Sequence, residues 1–127
     1  MPYELSFTKQ VEVSDPTQYI NECCVGGDVV SAALLPTLQE EYGEIDAGEE
    51  DWGWFLWFSA GGQNLAVDVF TDSYQAGDFR LRLTASKRML LFGRKEVDTP
   101  ELERLKDAVY RALIAWTGSA PLVSLVR

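Results

Sequence analysis

The sequence predicts an α+β fold, in which an antiparallel sheet of four to five strands carries two helices on one face. Three observations predict it: a two-residue alternation near the N-terminus, a central series of short apolar segments, and a strong helical periodicity near the C-terminus. The predicted order is β-α-β-β-β-(β)-α. Because the helical segments are separated by the strands and do not alternate with them, α+β is favoured over α/β. We expect one domain over residues 1–127.

The first predicted strand covers residues 3–13, where apolar and polar side chains alternate. Lys9 is the charged residue on the apolar side of this alternation. An inward lysine indicates either a bend in the strand or a position at the edge of the sheet.

A broken helix is predicted next. Asp15-Pro16 has the residue types of a helix start, and the apolar stripe that follows includes Cys23-Cys24. Gly26-Gly27 interrupts the stripe before a second helical segment. Within that segment, Pro36 predicts a kink or a restart near Leu35.

An acidic segment and an aromatic segment follow each other in the middle of the chain. Residues 40–51 contain seven carboxylates in twelve residues, which predicts a solvated loop. Residues 52–58 are apolar on both faces and predict a central strand. Simple alternation places Trp52 and Trp54 on one face of this strand and Trp57 on the other.

The remaining strands are predicted from alternation and turn residues. Gly61-Gly62 indicates a hairpin turn into a strand over residues 65–70, and residues 79–85 alternate again. Ser86-Lys87 reads as a further turn before a strand over residues 88–92.

The last predicted helix is the clearest element in the sequence. Thr99 and Pro100 are typical of a helix start, apolar residues recur at three- and four-residue steps, and Gly118 ends the pattern. The apolar tail at 121–127 is expected to fold back on the domain or to lie in a subunit contact.

Composition excludes several classes of protein. The 127 residues include no histidine, which excludes Ser-His-Asp or Cys-His catalysis and histidine metal ligands. The chain has no basic, apolar leader and no apolar run of membrane-spanning length, and its adjacent cysteines are poor candidates for a structural disulfide. We therefore expect a cytoplasmic protein with no contact to a membrane.

Charge is distributed unevenly along the chain. Residues 1–79 contain fifteen acidic side chains and one basic side chain, whereas residues 80–127 contain ten basic and five acidic side chains. One interpretation is that opposite charges pair across neighbouring strands. The other is that Arg80, Arg82 and Arg88 share one face of the sheet and bind a small anionic ligand. The net charge of −9 makes nucleic acid an unfavourable partner.

Other candidate chemistry is weaker. The acidic segment lacks the spacing of a calcium-binding EF-hand loop, so no metal site or cofactor is predicted. The carboxylates of Asp68, Asp72 and Asp78 suggest an acid and base pair, but Asp68 is expected to face solvent. Of Cys23 and Cys24, at least one is expected to be packed in the core, without any feature that lowers its pKa.

The tryptophans leave two interpretations open, since they either fill a dense core or form a binding hot spot on an uncovered face of the sheet. We expect a non-enzymatic protein that binds a protein partner or forms a homodimer, with the open sheet face or the acidic loop as its contact surface. The alternatives are a small anionic ligand bound by the Arg80 and Arg82 strand, and an acidic protein of the inhibitor or immunity type. The candidate binding residues are Trp52, Trp54, Trp57, Arg80, Arg82 and Arg88.

Overall fold

The computed structural model describes residues 2–89, 93–97 and 99–126, which form an antiparallel sheet with two α-helices on one face. The α+β class is therefore confirmed. The strands are β1 (Tyr3–Thr8), β2 (Asp46–Glu50), β3 (Gly53–Ala60), β4 (Gln63–Ser73), β5 (Asp78–Met89), β6 (Gly93–Glu96) and β7 (Leu122–Leu125). The helices are α1 (Gly27–Tyr42) and α2 (Pro100–Thr117).

The sheet is wider than predicted. Its strands follow the order β2-β3-β4-β5-β1-β7, and β6 pairs with β5 beyond the end of β1. The described residues thus form seven strands where four to five were predicted. Two of the additional strands, β2 and β7, lie at the edges, where a strand needs only one neighbour.

Strand β2 corrects the prediction of a solvated loop at residues 40–51. Residues 46–50 pair with β3, while the side chain of Asp46 stays exposed. An edge strand leaves its carboxylates in water, so acidic composition alone does not prevent strand pairing. The tail was expected to fold back or to meet a subunit, and it does fold back, as β7 on β1.

The core lies between the sheet and the two helices. Alternate residues of β1, β3, β4 and β5 point toward α1 and α2, and each such leucine stabilises the fold by about 1.5–3 kcal/mol. The largest fully buried side chains of the sheet and helices include Leu5, Leu56, Leu65, Leu81, Leu83, Phe79, Leu34, Leu38, Leu105 and Leu113.

The broken N-terminal helix is wrong in its first segment, and the restart predicted near Leu35 does not occur. The segment before α1 forms two short 3₁₀ turns, Pro16–Gln18 and Glu22–Cys24, because Asp15 and Asn21 each cap a single turn with the side chain. Helix α1 then continues through Pro36 without a break. Pro36 is exposed, and the burial of leucines on the opposite side of the helix compensates for the backbone hydrogen bond that a proline cannot make.

Two predicted boundaries also change. β1 ends at Thr8 and lies between β5 and β7, so Lys9 follows the strand and does not mark a sheet edge. Its ammonium group lies 5.7 Å from the ring centre of Trp116. Ser86-Lys87 is not a turn, because β5 continues through it to Met89 while changing partner from β4 to β6. The predicted strand over 88–92 falls partly outside the described residues, at 90–92.

The C-terminal helix follows its prediction closely. Thr99 accepts a hydrogen bond from Leu102 N through its hydroxyl, Pro100 occupies the first turn, and Gly118 ends the helix in a left-handed conformation. No helix among the described residues combines the length and apolar character needed to cross a membrane.

Candidate interaction surface on the open sheet face

One face of the sheet is not covered by α1 or α2. We call this surface the open face and define it by alternate residues of four neighbouring strands. They are Phe55, Trp57 and Ser59 of β3; Asn64, Ala66, Asp68, Phe70 and Asp72 of β4; Arg80, Arg82, Thr84 and Ser86 of β5; and Glu4 and Ser6 of β1.

Trp57 is the most exposed aromatic residue of the open face, with 42% of its surface accessible. Its ring stacks on Phe55 with 4.2 Å between ring centres, and its indole Nε1–H donates a hydrogen bond of 3.0 Å to Asp68 Oδ1. These two contacts hold the ring in one orientation while leaving part of it accessible. Such a fixed, amphipathic ring loses little conformational entropy when it binds a partner.

The acidic strand and the aromatic strand form one surface. In the register of β2 with β3, Asp46 lies opposite Trp57 and Gly48 lies opposite Phe55. Residues directly opposite each other in an antiparallel pair share a face, so the carboxylate of Asp46 lies on the same side as the tryptophan ring. The Phe55 ring occupies the space above Gly48, where a Cβ would lie 2.8 Å from Phe55 Cζ.

A cavity of about 510 Å³, open to solvent, lies beside Trp57. Its walls combine the ring of Trp57 with the carboxylates of Asp46 and Asp68 and with polar groups of Asn64 and Thr84. An apolar wall beside carboxylates and hydrogen-bonding groups suits a group with an apolar body and a cationic end.

Asp68 lies on the uncovered face, opposite to Val67 and Val69, as the sequence predicted, but it is half-buried beside this cavity and not fully in solvent. Burial raises the pKa of its carboxyl group above the ordinary value, while the hydrogen bond from Trp57 and the charge of Arg82 act in the opposite direction. The carboxylate is therefore incompletely solvated and has a bonding partner in Trp57. This combination gives the site a fixed negative charge close to an apolar ring.

Arg80 is engaged by carboxylates of neighbouring strands. Its guanidinium group lies 3.5 Å from Glu4 Oε2 and 3.4 Å from Asp72 Oδ1, and it stacks 4.6 Å from the ring centre of Phe70. These contacts agree with the interpretation that opposite charges pair across the sheet. Arg82 lies opposite both Glu4 and Asp68 in the strand registers.

The anion site predicted for these arginines stays a prediction. The side chain of Arg88 lies outside the described residues. An anion bound at Arg80 would have to compete with two carboxylates that already contact the guanidinium group.

The prediction that Trp54 and Trp57 lie on opposite faces is confirmed, whereas the prediction that Trp52 shares the face of Trp54 is wrong. Trp54 packs against the core and donates an indole hydrogen bond of 2.9 Å to the carbonyl of Cys24. Trp52 lies in the turn before β3 and packs on Phe70, with 5.3 Å between ring centres. The simple alternation fails because Gly53, between the two tryptophans, begins β3 from a turn. Trp54 is thus a residue of the core, whereas Trp57 and Trp52 contact the open face.

Of the remaining reactive groups, Cys24 and Asp78 are held in structural contacts. Cys24 is fully buried, its thiol donates to Glu50 O over 2.9 Å, and burial raises its pKa. Cys23 is exposed. The expectation that at least one cysteine packs in the core is confirmed. Asp78 accepts a hydrogen bond from Thr8, and no three acidic or cysteine side chains within the described ranges are arranged to hold a metal ion.

Sequence reasoning identified Trp57 but missed Phe55, Asp46 and Asp68 as its neighbours. Phe55 could have been predicted as a neighbour, because a residue two positions from Trp57 on a strand shares its face. Asp46 could not have been predicted as a neighbour, because the acidic composition of residues 40–51 predicts a loop. Comparison of the chain with protein-family models, with curated proteins and with solved structures finds no match.

Proposed function

We propose that this chain is a non-enzymatic protein-binding module whose open face binds a basic partner protein. The observation that carries the proposal is Trp57, a partly exposed ring held by Phe55 and Asp68 beside an acidic cavity. Tryptophan is among the residues most enriched at the energetic centres of protein interfaces.

The chemistry of the cavity favours an arginine or lysine side chain of the partner. Such a side chain has an apolar stem that packs on the Trp57 ring and a cationic head that meets Asp46 or Asp68. The partner's positive charge would also offset the cost of keeping the half-buried Asp68 ionised.

The charge of the whole chain supports the same choice. A net charge of −9 attracts a basic protein over a distance and accelerates its association at low salt. An inhibitor or immunity role, in which an acidic protein covers a functional surface of a basic one, is the form of this proposal that the charge favours.

Two alternatives receive less support from the geometry. Self-association through the open face would bring Asp46, Asp68 and Asp72 of one copy near those of the other. A small anionic ligand would have to displace Glu4 and Asp72 from Arg80. A basic protein meets neither obstacle.

The proposal is tested by placing a photo-crosslinking amino acid in the open face. Trp57→p-benzoylphenylalanine is expressed in the native host, and crosslinked proteins are compared with those obtained from Ile20→p-benzoylphenylalanine. Ile20 is the matched control, since it is an exposed apolar residue, 56% accessible, away from the open face. We expect a basic protein to crosslink from position 57 and not from position 20.

Calorimetry with the identified protein then measures the contribution of the ring. Trp57→Ala is expected to weaken binding by at least about 2 kcal/mol, roughly thirtyfold, and raising the salt concentration should weaken it further. The control Ile20→Ala should leave affinity unchanged. The proposal is refuted if the crosslinked protein is acidic, or if its affinity is the same for Trp57→Ala and for the unmodified chain.

A further inference from the structure

The two edges of the sheet differ in their chemistry. Strand β2 carries Asp46, Glu49 and Glu50, so a second copy pairing there would bring six carboxylates together. Strand β7 contains no charged residue, and none occurs anywhere in residues 121–126. Natural sheets protect their edges with charges, prolines or bulges. Of β2 and β7, the two end strands of the order β2-β3-β4-β5-β1-β7, β2 shows the charged form of that protection and β7 does not.

Strand β7 also concentrates exposed apolar surface. Among the described residues six large apolar side chains are exposed, and three of them lie on this strand of four residues. Leu122 is 77% accessible, Leu125 is 52% and Val123 is 39%. Val123 pairs with Leu5 and Leu125 pairs with Tyr3, so both side chains point to the helix side of the sheet. Leu122 pairs with Ser6, so its side chain points to the side of the open face.

The backbone of β7 has a defined set of outward groups. Val126 N–H donates to Pro2 O, so the Pro2–Val126 pair is a hydrogen-bonded one. Because hydrogen-bonded and non-hydrogen-bonded pairs alternate in an antiparallel ladder, Ser124 and Leu122 also direct their backbone groups toward β1. The N–H and C=O of Val123 and Leu125 therefore point away from β1, toward the free side of the strand.

We propose that β7 pairs with β7 of a second copy of this chain, antiparallel, about a twofold axis at Ser124. In this register Val123 lies opposite Leu125 of the second copy, and each such pair exchanges two N–H···O bonds, which makes four in all. The four side chains of these residues meet on one face of the joined sheet. On the other face Leu122 lies opposite Val126 of the second copy.

The competing register about Val123 forms a poorer ladder. It places Leu125 opposite Pro121 of the second copy, and proline has no N–H to donate. The register about Ser124 uses every outward donor and acceptor of Val123 and Leu125, so it is the arrangement that the backbone favours.

The expected dimer is weak. A strand pair of four residues is well short of the roughly 1,600 Å² of total buried area of a standard interface, so we expect a dissociation constant between about 10 μM and about 1 mM. The dimer leaves the open face accessible, so this inference does not depend on the proposed function.

Sedimentation velocity of the full chain, from about 10 μM to about 1 mM, tests the inference over the range in which such an interface dissociates. Val123→Lys introduces a charge among the four apolar side chains and lowers the net negative charge of each copy. Leu125→Pro removes an outward donor without removing a bond to β1. We expect the dissociation constant to rise at least about a hundredfold for Val123→Lys and about tenfold for Leu125→Pro.

Two control variants make the result specific. Ile20→Lys introduces a lysine at another exposed apolar residue, which lies outside the sheet. Trp57→Ala alters the open face. Both variants should dimerise as the unmodified chain does. Thermal unfolding of each variant checks that it is folded. A monomer at all concentrations, a dimer unaffected by Val123→Lys, or a dimer lost in Trp57→Ala would each overturn the inference.

Discussion

Gly53 is the residue at which the aromatic segment changes direction, and its replacement by alanine should be strongly destabilising. Its φ is 156°, which side-chain-bearing residues rarely adopt. A Cβ built on Gly53 would lie 2.1 Å from the carbonyl oxygen of Val69, a backbone atom of the neighbouring strand. Because that oxygen belongs to the β4 backbone, the contact is relieved only if one of the two strands moves.

Backbone strain and the clash with Val69 O together determine how much free energy of unfolding is lost. A residue held in a sparsely populated backbone region costs about 1–3 kcal/mol. Forcing an additional carbon into a filled space costs typically a further 1–3 kcal/mol or so, because neighbouring backbone must shift. We therefore expect Gly53→Ala to lower the free energy of unfolding by about 2–6 kcal/mol, a large share of the roughly 5–15 kcal/mol of an ordinary domain.

Urea unfolding followed by tryptophan fluorescence measures this loss, and Gly62→Ala is the matched control. Gly62 also has a positive φ, 75°, but a Cβ there meets nothing within 4 Å. Its replacement should show only the conformational cost, about 1–2 kcal/mol. If Gly53→Ala is no more destabilising than Gly62→Ala, then the contact with the β4 carbonyl does not determine this turn, and the reasoning is wrong.

Three further substitutions have defined outcomes. Because burial raises the pKa of Asp68 in the folded state, its ionised form disfavours folding at neutral pH, and this penalty disappears as the pH falls through the folded-state pKa. Asp68→Asn should therefore stabilise the chain at pH 7 and lose that advantage at low pH, whereas an equal advantage at every pH in thermal unfolding would contradict this explanation. Thr71→Val removes the buried hydroxyl that donates to Val25 O over 2.7 Å, so urea unfolding should show a loss of about 1–3 kcal/mol, with Thr71→Ser retaining the bond as control. Gly48→Ala should displace the Phe55 ring, which a Cβ would meet at 2.8 Å; a crystal structure showing the ring in place would contradict this.

The parts of the fold that were predictable depend on local chemistry. The start and end of α2 are specified by Thr99, Pro100 and Gly118, each of which acts within one turn of the helix. The buried face of β4 follows from strict alternation, and Gly61-Gly62 forms the hairpin turn that its residue types predict. Signals of this kind do not depend on the position of the rest of the chain.

The elements that were missed depend on partners far away in sequence. β2 forms because Asp46–Glu50 has β3 beside it, although its composition alone favours a loop. Ser86-Lys87 stays extended because β5 is paired with β4 on one side and β6 on the other. In both cases long-range pairing determines the backbone, and the local composition does not report it.

The same distinction applies to the candidate site. Exposure of one tryptophan in the aromatic segment was an open interpretation, and the structure identifies it as Trp57. Its position opposite Asp46 and its hydrogen bond to Asp68 join three strands, so both depend on strand registers that cannot be derived without the sheet order. Arg80 was identified as a candidate, but its pairing with Glu4 joins residues 76 positions apart.

The acidic and basic side chains are distributed unevenly over the strands of the sheet, and this distribution bears on the proposed function. The neighbouring strands β2, β3 and β4 contain no lysine or arginine but five carboxylates, whereas β5 contains four basic residues. Glu4 and Asp72 neutralise Arg80, so the basic strand is compensated by the acids beside it. The negative charge beside Trp57 comes from Asp68, which has Arg82 opposite it on β5, and from Asp46 on β2, whose neighbouring strand β3 contains no base. A basic side chain arriving at Trp57 would therefore supply Asp46 with a positive charge that β3, its neighbour in the sheet, does not provide, and this is the end of the open face that we propose for a basic partner.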